Sequence, residues 1–344
     1  MVQFLGMLAA IGLTAACWGM YGPVLHVGRE HMHSPLRPFV CVGVAYFVIA
    51  VVVPLVLLAR GEKGAWTTKG VIWSLLAGAA GALGALGVIL ALHFGGKPIY
   101  VMPLVFGGAP VINTLLSAAM NRAFDQLKAP FLAGLLLVIT GAVTVLVFKP
   151  QAAPHPAPVA AAAAAAESAA PAPAPPSSVE RKAEQFVAVL LSIALAMASW
   201  GSYGPVLHRG QAAMQGSRLR PLVCIGVSYF LIAVLVPLAL LVPLADPGSW
   251  SVNGVFWSLA AGALGALGAL GTILAFTLGG KPFTVMPVVF GCAPVINTLT
   301  TLAFNDTPRS AVSPFFLAGM LIVAVGAATV LAFGPRGHAP AKPA

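Results

Sequence analysis

The stretch Trp18-Gly-Met-Tyr-Gly-Pro-Val-Leu-His26 occurs a second time, with one substitution, as Trp200-Gly-Ser-Tyr-Gly-Pro-Val-Leu-His208. A longer copy follows each of these stretches. Residues 71–114 align without gaps to residues 255–298, and the two segments share 33 of 44 residues. The chain is therefore an internal duplication, and we expect each copy to fold as one structural unit.

The composition indicates where such a duplicated chain resides. Of its 344 residues, 59% are hydrophobic and only 8% are charged, against about 25% charged residues in an ordinary globular domain. The net charge is +10, but the basic residues stand singly between apolar runs, which argues against a nucleic-acid partner. Four cysteines without metal-ligand spacing exclude a disulfide framework and a recognisable zinc site. The composition predicts an integral membrane protein.

Apolar runs of roughly 20 residues, the length that crosses a bilayer, occur five times in each half. They lie at residues 4–26, 38–59, 70–94, 98–120 and 130–148, and again at 186–208, 221–241, 254–278, 282–304 and 315–333. We therefore expect an all-α integral membrane protein with ten transmembrane helices. The expected domains are a five-helix repeat over 1–149, an Ala/Pro-rich flexible linker over 150–184, a second five-helix repeat over 185–334 and a disordered tail over 335–344.

An odd number of spans per copy makes the second copy enter the membrane from the opposite side, which gives two inverted five-helix repeats. With the N-terminus inside, the interior segments carry 11 Lys and Arg residues and the exterior segments carry 7. This bias predicts a multi-pass protein of the plasma (bacterial inner) membrane, with both termini cytoplasmic and the linker external. A cleaved signal peptide is the alternative for the first run. That run lacks a positive n-region, and its copy at 186–208 is internal.

Short patterns recur in the same order in both halves. They are Trp18-Gly19 and Trp200-Gly201, Ala91-Leu92 and Ala275-Phe276, Ala109-Pro110-Val111 and Ala293-Pro294-Val295, and the pairs Gly134/Gly141 and Gly319/Gly326. With these patterns the chain resembles the drug/metabolite transporter superfamily and its EamA-type repeat over nearly all of its length except the linker. The first span is also similar to that of the glucose/ribose and rhamnose uptake branch.

This resemblance implies a secondary transporter, although the chain departs from the family in two places. The long Ala/Pro linker is atypical. The usual acidic residue at the end of the fourth span is replaced by Asn121-Arg122 and by Asn305-Asp306. The identity of the substrate is therefore open.

Six residues are candidates for substrate binding: Trp18, Tyr21, Asn113, Trp200, Tyr203 and Asn297. The aromatic residues lie near the end of the first span of each copy, where they form either an interfacial belt or a stacking platform for a solute. The asparagines follow a proline by three residues in the fourth span. An amide in hydrocarbon needs partners, so it either bonds the carbonyls that the proline frees or faces a central cavity.

Candidates for gating or coupling are His26, Lys97, His208 and Lys281. The histidines can titrate near neutral pH, and the lysines occupy identical Gly-Gly-Lys-Pro turns. The alternative is that all four contact lipid headgroups. Candidate hinges are the recurring prolines Pro103, Pro110, Pro287 and Pro294, each of which removes a backbone donor from its helix.

No arrangement of nucleophile, base and acid is visible, so we expect a protein that is not an enzyme and that uses no cofactor or metal. The predicted function is transport of a small metabolite by alternating access around a midplane cavity between the repeats. The expected partners are the lipid bilayer and a small-molecule substrate, a sugar or another metabolite, and the sequence is compatible with a homodimer. The alternative is a membrane scaffold or assembly partner that keeps the transporter fold without transporting.

Overall fold

The computed structural model describes residues 2–122, 124–148, 178–243, 246–304 and 312–333, and within these ranges the chain is helical and contains no strand. The long helices of the described residues are α1 (Val2–Met32), α2 (Leu36–Leu58), α3 (Thr68–His93), α4 (Pro98–Asn121), α5 (Ala129–Val147), α6 (Ser178–Ala213), α7 (Leu219–Leu241), α8 (Val252–Thr277), α9 (Pro282–Phe304) and α10 (Pro314–Phe333). A 3₁₀ turn, Phe124–Gln126, precedes α5.

Eight of the described helices, α1–α4 and α6–α9, contain stretches long and apolar enough to cross a membrane. The outer surface of the bundle is apolar as well. Leu136, Leu191 and Leu321, for example, are each about two-thirds exposed. A helix satisfies its own backbone hydrogen bonds, which a chain surrounded by lipid requires. The prediction of an all-α, multi-pass membrane protein is confirmed.

One predicted domain boundary differs from the observed one. Helix α6 begins at Ser178, so residues 178–184, which we expected to belong to the flexible linker, are helical. The physical reason is that the Pro-rich composition ends at Pro176, and the helix-forming residues Glu180, Arg181 and Lys182 follow it. The rest of the predicted linker, Asn305-Asp306 and the predicted tail lie outside the described residues.

The two halves pack against each other in a reciprocal manner. The first helix of each half lies on the third helix of the other half, α1 on α8 and α6 on α3, while α4 contacts α9 and α5 contacts α10. Small residues permit this close approach, as is usual between helices in lipid. A side chain at Gly84 would overlap the ring of Trp200, and one at Gly268 would overlap the ring of Trp18.

Candidate functional site

A cavity lies where the two halves meet, and aromatic rings and glycine backbone line it. The lining residues are Trp18, Tyr21, Tyr46, Gly81 and their copies Trp200, Tyr203, Tyr229 and Gly265. They come from α1, α2 and α3 of one half and from α6, α7 and α8 of the other. The space open to the centre of a water molecule is about 20 Å³, which holds about one water. The cavity is therefore small in this conformation.

The rings of the two halves interleave around this cavity. Trp18 lies edge-on to Tyr203, with ring centroids 5.7 Å apart, and Tyr21 lies edge-on to Trp200 at 6.0 Å. Between these two pairs, the rings of Tyr46 and its own copy Tyr229 stack in parallel. Every close aromatic contact in the lining therefore joins one half to the other.

The tryptophans hold their positions through hydrogen bonds to helix backbone. Trp18 donates from Nε1 to the carbonyl of Gly265 at 3.2 Å, and Trp200 donates to the carbonyl of Gly81 at 3.1 Å. Trp18 and Tyr21 are three residues apart, so one face of α1 presents both rings to the cavity. The same holds for Trp200 and Tyr203 on α6.

The hydroxyl groups of the four tyrosines differ in their bonding. Those of Tyr46 and Tyr229 lie near each other on two stacked rings. Those of Tyr21 and Tyr203 are buried and have no hydrogen-bond partner among the described residues. A buried hydroxyl usually has a partner, so these two groups are available to a bound molecule. The arrangement can hold an uncharged solute by ring stacking and two hydrogen bonds.

The two asparagines predicted for the site are fully buried but do not line the cavity. Asn297 donates from Nδ2 to the carbonyl of Gly19 in α1 at 3.2 Å. Asn113 donates to the carbonyl of Pro282 in α9 at 3.1 Å. Both bonds cross from one half to the other, so the asparagines connect the halves beside the aromatic residues.

The four residues predicted for gating or coupling also lie outside the cavity lining. His26 contacts Glu30, with 3.2 Å between Nε2 and Oε1, whereas the ring of His208 lies edge-on to Phe276. The two histidines therefore have different surroundings, although they occupy equivalent positions. Lys97 and Lys281 are exposed and directly precede α4 and α9.

The prolines predicted as hinges occur in unbroken helix. The backbone is helical at Pro103 and Pro110 in α4 and at Pro287 and Pro294 in α9. Wider π-helical turns interrupt other helices instead, at Val48–Val52 in α2 and at Phe230–Leu235 in α7.

Ion pairs that the sequence analysis did not single out join the loops at one end of the bundle. Arg37, in the first turn of α2, pairs with Asp246, and Ser34 donates to the same carboxylate at 2.7 Å. Trp250 covers the guanidinium of Arg37 at 5.7 Å. We call Ser34, Arg37 and Asp246 the Asp246 cluster. It joins the first connection of one half to the second connection of the other.

The equivalent residues form an equivalent cluster elsewhere. Ser217 donates to Glu62 at 2.6 Å, and Arg220 lies 3.3 Å from the same carboxylate. We call Ser217, Arg220 and Glu62 the Glu62 cluster. Burial raises the pKa of Glu62, but the hydrogen bond from Ser217, the amides of residues 218 and 219 and the charge of Arg220 outweigh it, so the pKa lies below its usual value.

The two clusters lie at opposite ends of the bundle because α2 runs between them. Arg37 lies in the first turn of α2, and the loop after Leu58 carries Glu62. A helix of 23 residues is about 34 Å long at 1.5 Å per residue. The helices that line the aromatic cavity run between these two ends, each of which carries one ion-pair cluster.

A sequence signal for these clusters exists. Glu62-Lys-Gly-Ala-Trp66 recurs as Asp246-Pro-Gly-Ser-Trp250, which preserves an acid, a glycine and a tryptophan at fixed spacing. Likewise, Tyr46 and Tyr229 each follow a recurring cysteine by five residues. Both patterns could have been found by comparing the copies position by position.

Comparison with known proteins gives a likeness of fold. No family model matches the chain, and no curated protein matches it. A solved structure described only as "Crystal structure of protein" superposes with a TM-score of 0.58 at 18% sequence identity. The match covers 96% of this chain and 99% of that one. At this identity the match shows a shared fold and nothing about activity.

Proposed function

We propose that the protein is a secondary transporter that moves a small uncharged metabolite by alternating access around the aromatic cavity. The observation that carries the proposal is a cavity lined equally by the two halves, with an equivalent ion-pair cluster at each end of the bundle. A solute site between two related halves is the arrangement from which such transporters expose a solute to either side in turn.

The chemistry of the lining supports an uncharged solute. No charged side chain is among the lining residues, and a net charge buried without a counter-charge is costly. A sugar or another hydroxylated metabolite could stack on Trp18 and Trp200 and bond the free hydroxyls of Tyr21 and Tyr203. This chemistry agrees with the resemblance to the sugar-uptake branch of the drug/metabolite transporters.

The topology that we propose is ten transmembrane helices arranged as two inverted five-helix repeats. Its support is that the first connection of each half meets the second connection of the other, in the Asp246 cluster at one end and in the Glu62 cluster at the other. Two halves that ran in the same direction would hold these connections at opposite ends of the bundle.

The orientation follows from the loop charges. The excess of Lys and Arg in the segments on the side of the N-terminus supports a plasma-membrane protein with both termini cytoplasmic. In this orientation the linker and the Asp246 cluster are external, and the Glu62 cluster is cytoplasmic.

A counterflow experiment tests transport without assuming a coupling ion. Proteoliposomes would be loaded in turn with unlabelled monosaccharides, polyols and neutral amino acids, then diluted into a trace of the radiolabelled solute. We expect transient, saturable accumulation for at least one of these classes and none in liposomes without protein. If no solute accumulated, under counterflow or any ion gradient, and the protein co-purified with a partner, the scaffold function would replace the proposal.

A further inference from the structure

Helices α2 and α7 are each divided into two parts by a π-helical segment. In α2 the amide of Val53 bonds the carbonyl of Val48, five residues back, and in α7 the amide of Val236 bonds Leu231. In each helix one valine follows the π segment and a proline, Pro54 or Pro237, comes next, which has no N–H to donate. π turns inside α-helices are rare and often lie at functional positions.

The part before each π segment forms a short separate helix, which we call an arm. The two arms are Leu36–Phe47, with 12 residues, and Leu219–Tyr229, with 11 residues. Each arm packs closely on the third helix of the opposite half. A side chain added at Gly262 would meet the backbone of Val42, and one added at Gly78 would meet that of Ile225.

Each arm connects an end of the bundle to the cavity. The first arm carries Arg37 of the Asp246 cluster in its first turn and Tyr46 of the cavity lining in its last turn. The second arm carries Arg220 and Tyr229 in the same places. The two positions are about 14 Å apart along the helix. A movement of the arm about its π segment would therefore displace the cluster and the cavity wall together.

We propose that these two arms are the gates of the transporter: breaking the Asp246 cluster releases the arm 36–47 and opens the cavity to one end, and breaking the Glu62 cluster releases the arm 219–229 and opens it to the other. This inference rests on the proposed transport function. Both clusters are formed in this structure, and the cavity holds about one water. On this proposal, both gates are shut in this conformation.

The composition of the clusters fits a contact that opens and closes. The Asp246 side chain is 3% exposed and that of Glu62 is 8% exposed. The free energy needed to remove a carboxylate from water is about as large as the free energy gained from its ion pair. A closed cluster and a hydrated, open one are therefore close in free energy. Loss of one partner from such a pair shifts this equilibrium strongly toward the open arm.

The chain carries its own reporters of arm movement. Cys41 and Cys224 lie one helical turn after Arg37 and Arg220, on the same face of each arm, and both are buried. Cys17, in α1, is equally buried but lies on neither arm, whereas Cys292 is exposed. A water-soluble maleimide therefore reports the exposure of each arm through the alkylation rate of its cysteine, which mass spectrometry quantifies. Cys17 and Cys292 are the internal controls.

The variants Asp246→Asn and Glu62→Gln test the proposal in the full chain, in detergent. We expect Asp246→Asn to speed alkylation of Cys41 roughly tenfold or more and to leave Cys224 and Cys17 unchanged, because each 1.4 kcal/mol lost by the closed state is a factor of ten. Glu62→Gln should act on Cys224 alone. Where either variant does not fold, Ser34→Ala and Ser217→Ala remove a single hydrogen bond from the same clusters.

Three results would overturn the gates. The first is that neither variant changes the alkylation rate of Cys41 or Cys224. The second is that one variant speeds the alkylation of both cysteines equally. The third is that Cys17 is alkylated faster to the same extent as the arm cysteine, which would indicate a general loosening of the fold. The labelling needs no transported solute, so its outcome is separate from that of the counterflow experiment. If each variant exposes the cysteine of its own arm but no solute is taken up, the arms move as proposed and the transport function is wrong. If solute is taken up but the labelling is not specific to an arm, only the proposal that the arms are gates is wrong.

Discussion

Asn297 donates its side-chain amide to the carbonyl of Gly19, and this carbonyl lies four residues before Pro23. In an α-helix the amide of residue 23 would bond that carbonyl, but proline has no amide hydrogen. A residue of the second half therefore satisfies a backbone group that a proline frees in the first. Asn297 therefore bonds a carbonyl that a proline frees, but this proline belongs to α1 and not to the helix of Asn297.

Replacing Asn297 with Ala should lower thermal stability, because it leaves a buried carbonyl without a donor, at a cost of about 1–3 kcal/mol. Asn113→Ala is the matched variant. Its acceptor, the carbonyl of Pro282, lies four residues before the amide of Met286 and can use that donor, so we expect a smaller loss. Melting in detergent measures both. Equal melting temperatures for the two variants would contradict this account.

Comparing the copies predicted half of the residues that line the cavity. Trp18, Tyr21 and their copies form a recurring motif, and all four line the cavity. Tyr46 was not predicted because it is a single tyrosine within an apolar run, and its partner Tyr229 is far away in the sequence. The acids of the two clusters, Glu62 and Asp246, stand between apolar runs of the sequence. Which arginine each acid meets depends on how the halves pack, and no local pattern encodes that.

The free hydroxyls of Tyr21 and Tyr203 lead to a test that separates binding from stability. Tyr21→Phe and Tyr203→Phe each remove a buried hydroxyl that has no partner among the described residues, so neither should lower the melting temperature. If each hydroxyl bonds the solute, the KM for uptake should rise roughly fivefold, for a hydrogen bond of about 1 kcal/mol.

Tyr46→Phe serves as the control for these variants. It removes one hydroxyl from the stacked Tyr46–Tyr229 pair and keeps both rings. We do not assign this hydroxyl to the solute, so the variant should leave the KM for uptake unchanged. An unchanged KM in both Tyr21→Phe and Tyr203→Phe would place the solute elsewhere.

The volume of the cavity can be changed at a glycine. A Cβ at Gly81 would lie 3.0 Å from the ring of Tyr229, so Gly81→Ala fills the cavity wall with a single methyl group. We expect it to abolish counterflow while the helical fold persists. Gly12→Ala is the matched control, since nothing lies within 4 Å of its added Cβ. That variant should transport normally and gain about 0.5–1 kcal/mol of stability. Normal transport by Gly81→Ala would exclude this cavity as the solute site.

The lowered pKa of Glu62 makes the stability of the Glu62 cluster depend on pH. The ordinary pKa of the carboxyl is 4.5, and the bonds from Ser217, the backbone amides and Arg220 hold it lower in the folded protein despite burial. A group with a lowered folded-state pKa stabilises the fold at pH values above its unfolded pKa. This stabilisation is lost as the pH falls from about 4.5 through the folded-state value.

Melting temperatures of the wild type and of Glu62→Gln, measured from pH 7 down to pH 3, test this dependence. At neutral pH we expect the wild type to be more stable by about 2 kcal/mol, the contribution of hydrogen bonds to a charged acceptor. The difference should stay constant down to about pH 5 and shrink below the ordinary pKa of 4.5, because protonated Glu62 and Gln are both neutral. Asp125→Asn, which removes an exposed carboxylate, is the control for the loss of one negative charge. A difference for Glu62→Gln that persists unchanged to pH 3 would mean that its charge does not stabilise the cluster.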